Sequence, residues 1–132
     1  MQYSFDVKTT AHSQLVDITR EVQTRVTQSG IKDGIATVFI PHTTAAVTIN
    51  ENADPTVQTD ILQQLEKMVP WDQPFYRHSE GNSSAHLKAS MMGFSEQILI
   101  QNGRLVLGTW QGIYFCEFDG PRQRQAIVRV SA

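Results

Sequence analysis

Residues 2–8 alternate strictly, with Tyr3, Phe5 and Val7 on one side and Gln2, Ser4, Asp6 and Lys8 on the other. That is the period of a half-buried antiparallel strand. Residues 15–18 are apolar enough for a second strand, expected to pair with the first after a short turn. From Thr19 the period lengthens: Val22 and Val26 are four apart, Glu21 and Arg25 form an i,i+4 pair on the exposed face, and Ser29-Gly30 ends the helix. Two apolar, β-branched runs, residues 36–40 and 45–49, then flank Pro41-His42-Thr43-Thr44 and predict a strand pair around His42.

Asp54-Pro55 is a strong helix start, an N-cap followed by proline at the first helical position. Val57, Ile61, Leu62, Leu65 and Met68 give its apolar stripe, and Pro70 stops it. Residues 69–82, with Pro70 and Pro74, carry mixed charges without a period, which predicts a long ordered loop of the kind that tends to be functional. Ser83 or Ser84 is then expected to cap a short helix that buries Leu87 and Met91, ends at Gly93, and holds His86 in its first turn. Asn102-Gly103 between residues 95–101 and 104–107 is the best hairpin signal in the chain. Residues 109–118 and 125–130 read as two more strands, joined through Asp119-Gly120-Pro121. With strands outnumbering helices about two to one and no strand–helix repetition, the pattern predicts an α+β domain over residues 1–132, its sheets largely antiparallel and packed with two or three helices.

Composition adds bounds. A chain of 132 residues is long enough to fold without staples, and 40% hydrophobic with 18% charged residues is globular. A net charge of −2 does not indicate a nucleic-acid surface. The N-terminus lacks an apolar stretch of signal-peptide length and no run of about 18 apolar residues occurs, so a soluble cytoplasmic protein with no membrane partner is expected. The lone Cys116 sits in a strand-like run and is expected to be a buried, inert thiol.

The polar residues that interrupt these patterns are the candidates for chemistry. If the 45–49 strand continued, its parity would turn Glu51 toward the apolar side, where a carboxylate needs a partner; if the strand stopped, Glu51 would lie in water between the turn residues Asn50 and Asn52. His42, His78 and His86 each stand where an element begins or ends, and His78-Ser79-Glu80 adds an acid, a set able to hold zinc or a similar divalent ion such as magnesium, or to remain scattered structural histidines. His12 is expected to be a solvent-facing turn residue. Near the C-terminus, Trp110 reads as core, Gln111-Gly112 as a bulge, and Arg122 either as an exposed edge charge or as a guanidinium aimed by Gly120-Pro121 at a phosphate or carboxylate. The absence of P-loop, G-x-G-x-x-G, G-x-S-x-G and C-x-x-C motifs excludes Walker-type hydrolysis, dinucleotide cofactors and the common serine-hydrolase architecture.

Three stretches taken together, PHTTAAVTINENADPTVQTDI, HSEGNSSAHLKASMMG and GTWQGIYFCEFDGPRQR, closely resemble the YjbQ family of small proteins, also called secondary thiamine-phosphate synthase enzymes. The resemblance implies packed β-sheets, a homotrimer with a site near the subunit boundary, and weak condensation of an aminopyrimidine methyl pyrophosphate with a thiazole phosphate. The family's polar positions match His42, Thr43, Thr44, Asn50, Glu51, His78, Glu80, His86, Gln111, Glu117 and Arg122. On that match His42, His78 and His86 are expected to bind a metal or an anion, with Glu51 or Glu80 as base and Arg122 on phosphate. Thr43, Thr44, Asn50, Gln111 and Glu117 are expected to bind substrate. Loss of pyrophosphate from a stabilised carbon needs positive groups on the leaving group and little covalent help, and this chain lacks an obvious diphosphate cradle. The synthase activity is therefore read as incidental to another phosphorylated substrate, with a non-catalytic module for a metal or phosphometabolite as the alternative.

Overall fold

Every strand pairing in the molecule is antiparallel, and the alternation of the sequence decides which face each strand buries. The computed structural model describes all residues from Met1 to Ala132. In chain order the elements are β1 (Gln2–Lys8), β2 (Gln14–Asp17), α1 (Thr19–Ser29), β3 (Gly34–Phe39), β4 (Ala45–Glu51), α2 (Pro55–Met68), α3 (Ser83–Met92), β5 (Ser95–Gln101), β6 (Arg104–Leu105), β7 (Gln111–Glu117) and β8 (Gln123–Ser131). They form a five-stranded sheet, β1-β8-β3-β5-β6, and a three-stranded sheet, β2-β7-β4.

Phe5 and Val7 of β1, Ala36 and Val38 of β3, Ile98 and Ile100 of β5, and Ala126, Val128 and Val130 of β8 turn inward to one core, which Val22 and Val26 of α1 also enter. From the opposite side the three-stranded sheet sends Ala45, Val47, Ile113 and Phe115 into the same core. Its other face, Ala46, Tyr114 and Cys116, packs under Leu65 of α2 and Ala85 and Ala89 of α3. The three-stranded sheet is thus covered on both faces, and for that reason β7 reads IYFC without polar alternation. Cys116 lies there fully buried, its thiol pushed up to about 12 chiefly by desolvation, an inert group as expected.

Several local readings are corrected. β2 pairs with β7 rather than β1, and β3 and β4 lie in different sheets, so the chain through His42 is a crossover and not a hairpin. A hairpin needs only a tight turn, but here the four residues Pro41–Thr44 carry the chain from one layer to the other. Asn82, not a serine, stands at the N-cap of α3. This helix buries its small face, Ser84, Ala85 and Ala89, with Lys88, and leaves Leu87 (45%) and Met91 (52%) exposed. Close approach of α3 to β4 selects small residues, so the large apolar ones are displaced outward. In α2 only Leu65 is buried and Met68 is exposed, while Trp110 stands 62% exposed rather than in the core. His12 is exposed in the bend between β1 and β2, as expected, with its ring edge-on to Trp71, centroids 4.4 Å apart. Arg25 lies over the ring of Phe5 at 5.1 Å, so its partner is an aromatic face instead of Glu21. The hairpin reading is sound: Asn102 and Gly103 both take positive φ between β5 and β6.

Candidate functional site

Two chain crossovers between the sheets occur at the same end of the molecule, and a cleft opens between them. The first is residues 40–44; the second is the turn after β7, which reaches β8 through Asp119, Gly120, Pro121 and Arg122. The first is tied to the start of β5 by Ile40 N–H donating to the Phe94 carbonyl, and to the second by Phe118 N–H donating to the Thr44 carbonyl. Residues 78–82 and the first turn of α3 close the third side. The resulting cleft, about 790 Å3, is lined by His42, Thr43, Thr44, His78, Glu80, Asn82, His86, Asp119, Arg122 and Arg124, with Phe39 and Phe94 at its edge. Glycine is required at 120, because a Cβ there would stand 2.5 Å from the Ala11 carbonyl oxygen and 2.8 Å from Glu117 Cγ. The second crossover is thereby pressed against Glu117.

Beneath the cleft lies a buried polar network. Arg124 Nε donates to Glu117 Oε1 at 2.8 Å, and its Nη2 donates to Glu117 Oε2 and to Thr44 Oγ1, the latter at 2.8 Å. Thr9 Oγ1 donates to Glu117 Oε1 at 2.8 Å, and Asp119 N–H donates to Glu117 Oε2 at 2.9 Å. Burial opposes ionisation of Glu117, but the Arg124, Asp119 and Thr9 bonds outweigh it and hold the carboxyl below its usual range. Glu117 is fully buried with both oxygens engaged, so it cannot contact a substrate; the substrate-binding role read for it becomes a positioning one.

Above the network, Arg122 donates Nε to the Asp119 carbonyl and Nη2 to Asp119 Oδ2 at 3.1 Å, and Asn82 Nδ2 donates to the same Oδ2 at 2.8 Å. Asn82 Oδ1 is the one buried side-chain polar atom without a partner. His42 Nε2 accepts the Gln125 N–H at 3.0 Å, which places the ring proton on Nδ1. Desolvation, then the nearby Arg124 charge, lower the His42 pKa, so the ring is neutral at pH 7. His78 and His86 meet edge to face, centroids 5.3 Å apart, and His78 Nε2 lies 4.0 Å from Glu80 Oε1. The three imidazoles share the cleft, yet no three His, Cys, Asp or Glu side chains converge closely enough to hold one ion, and His42 has committed the nitrogen it would offer. As arranged, this donor set does not fit a three-histidine metal site.

Of the residues singled out in the sequence, His42, Thr43, Thr44, His78, Glu80, His86 and Arg122 come together. Asn50, Glu51 and Gln111 do not. Glu51 pairs with Gln111 at the far end of the β4–β7 ladder, whereas Ala45 pairs with Glu117 at the cleft end. Six residues of strand separate them, roughly 20 Å. Glu51 Oε2 accepts Ala53 N–H, Asn50 Oδ1 accepts Glu51 N–H, and Gln111 Oε1 accepts Gly108 N–H, so all three serve their own turns. The parity argument placed Glu51 on the apolar side, but the strand ends there and the side chain is only half-buried.

The sequence reading gave Asn82, Asp119 and Arg124, the last noted only as a neighbour of Arg122, no role in the site. Arg124 had a signal: it shares the parity of Ala126, Val128 and Val130, so a charge on the buried face of β8 required a buried partner. Nothing comparable marked Asn82 or Asp119, which owe their positions to the loop and the turn.

Comparison with known proteins places this geometry in a lineage. The family model described as UPF0047 protein YjbQ-like matches residues 3–132. The chain is 49% identical over 130 residues to the UPF0047 protein YugU of Bacillus subtilis, covering 98% of each. It is 48% identical over 132 residues to a UPF0047 protein of Methanocaldococcus jannaschii, covering 98% of this chain and 94% of the other. A crystal structure of an uncharacterized conserved YjbQ/UPF0047 family protein from Clostridium acetobutylicum superposes with a TM-score of 0.96 at 56% identity, over 98% of this chain and 99% of that one. A hypothetical protein from Aeropyrum pernix superposes at 0.94 with 37% identity, over 100% and 98%.

Proposed function

The chain belongs to the UPF0047 YjbQ-like family, and from that premise we propose that it is a small cytoplasmic enzyme acting on a phosphorylated metabolite in the cleft between the two crossovers. The observation that carries this reading is the convergence of three histidines, Glu80, Arg122 and Arg124, from four separate segments, on one open cleft of metabolite size. No helix is long and apolar enough to cross a membrane.

The chemistry proposed is departure of a phosphate or pyrophosphate group, of which thiamine-phosphate synthesis is a secondary instance. In that instance the bond between the pyrimidine methylene carbon and the pyrophosphate oxygen breaks, its electron pair leaving with pyrophosphate. The thiazole nitrogen then supplies the pair for the new carbon–nitrogen bond. The chain's part is to hold the leaving group with N–H donors from arginine and from His78 or His86. His42, neutral and protonated on Nδ1, orients rather than ionises. Glu80, exposed and beside His78, is the acid–base group of this reading, and Glu51 is not used. The exposed Phe75, Leu87, Met91 and Phe94 around α3 support assembly with further copies, proposed as a homotrimer.

Purified protein incubated with the two phosphorylated precursors, and separately with a panel of phosphorylated metabolites, is expected to release pyrophosphate or phosphate, and His86→Ala to abolish release. Binding of these compounds without turnover would instead make the cleft a phosphometabolite-binding module.

A further inference from the structure

Resting on the reading of the cleft as a phosphate site, we infer that Arg124, and not the more exposed Arg122, is the fixed anchor for the substrate's phosphate oxygen. Arg124 is 3% exposed and lines the cleft. Its Nε and Nη2 are spent on Glu117 and Thr44, while Nη1 donates to no group of the chain. Asn82 Oδ1 is the only sealed and unpartnered side-chain polar atom, so Nη1 keeps some contact with solvent, and the inference places that contact in the cleft that Arg124 lines.

The geometry suits an anchor. Glu117 grips the guanidinium through two nitrogens, with Thr9 and Asp119 N–H fixing Glu117 in turn, so the third nitrogen has one orientation. Desolvation and immobilisation of the arginine are offset by the fold before any ligand arrives, and an incoming oxyanion therefore loses little to ordering. Arg122 is the opposite case. Its side chain is 50% exposed and bonded only to Asp119 in its own turn. A mobile, hydrated guanidinium adds to the field of the cleft but does not set a register. Because Glu117 balances the Arg124 charge, recognition here is by directed N–H groups. A single phosphoryl oxygen satisfies Nη1, while the remaining oxygens face Arg122 and the histidines. The ligand class is accordingly a phosphate or pyrophosphate monoester that enters phosphate first.

Calorimetric titration with inorganic pyrophosphate tests the assignment in four proteins. Arg124→Lys keeps a charge for Glu117 but removes the third nitrogen, and is expected to weaken binding by about tenfold or more. Arg122→Lys is expected to weaken it by less than about threefold. The Glu117→Gln/Arg124→Gln double variant removes both buried charges together, so that the fold is not left with an unpaired ion, and is also expected to lose binding. In the unsubstituted protein the Arg124 side-chain nitrogen resonances are expected to shift on titration, which a purely structural arginine would not show. Unchanged affinity in Arg124→Lys or in the double variant, or a larger loss in Arg122→Lys, would overturn the inference while leaving the phosphate site in place. Absence of pyrophosphate binding by the unsubstituted protein would overturn the phosphate reading itself, and the inference with it.

Discussion

The two ends of the β4–β7 ladder carry similar residues and do different work. At the cleft end, Thr44, Glu117 and Arg124 form a buried network whose members come from β7, β8 and the crossover into β4. At the far end, Asn50, Glu51 and Gln111 are as polar and as closely spaced, but each bonds to a backbone N–H within three residues of itself. The difference lies in what each group would lose if its partner were removed. A locally bonded exposed side chain returns to water, whereas a buried one from a distant segment has no other partner. The buried network held by the tertiary fold lies at the end where the ligand chemistry is proposed.

Substitutions should separate the ends, and the largest effect is expected from Arg124→Ala. Leaving Glu117 buried and unpaired should cost about 3–5 kcal/mol, read from denaturant unfolding. Glu66→Gln comes next. Lys88 of α3 is buried and has a single partner, Glu66 Oε2 at 2.6 Å, and this bond ties α3, with its His86, to α2. Glu66 is half-exposed, so screening reduces the loss to about 1–2 kcal/mol.

A pH series should act at the cleft end as well. The His42 pKa is lowered from 6.5 in the fold, so below pH 6.5 the unfolded chain binds more protons at this residue than the native one does. Its contribution is complete above that pH and is lost as the pH falls toward the folded value. Glu117, also lowered, adds a second loss of the same sign below about 4.5, its ordinary value. The melting temperature is expected to fall between pH 7 and 5.5, and less steeply in His42→Gln. The smallest effect belongs to the far end: Glu51→Gln should change unfolding free energy by less than about 0.5 kcal/mol and leave pyrophosphate affinity unaltered. A loss of affinity there comparable with that of Arg124→Lys would break the contrast between the two ends.

Periodicity made most of the fold legible, because β1, α1, α2 and the Asn102-Gly103 hairpin are local patterns that tertiary contacts left in place. Sheet membership was not legible. The pairing of β2 with β7 and the separation of β3 from β4 join residues far apart in sequence, and alternation specifies a face but no neighbour. At the site, histidines at element ends were readable one by one, since an imidazole beside a turn stands out from an apolar run. Glu51 looked equally eligible because strand parity cannot tell where a strand stops. Arg124 was readable from its place among Ala126, Val128 and Val130, a charge inside an apolar face. Asn82 and Asp119 come together only through the folded loop and turn, and no spacing in the chain announces that contact.

The central claim is that ligand chemistry belongs to the crossover end alone. Backbone amide chemical shifts recorded while inorganic pyrophosphate is added to the uniformly labelled protein test it most directly. Perturbations confined to residues 42–44, 78–86 and 119–125 are the expected result. Perturbations centred on residues 50–52 and 108–111, with the crossover residues unmoved, would contradict it.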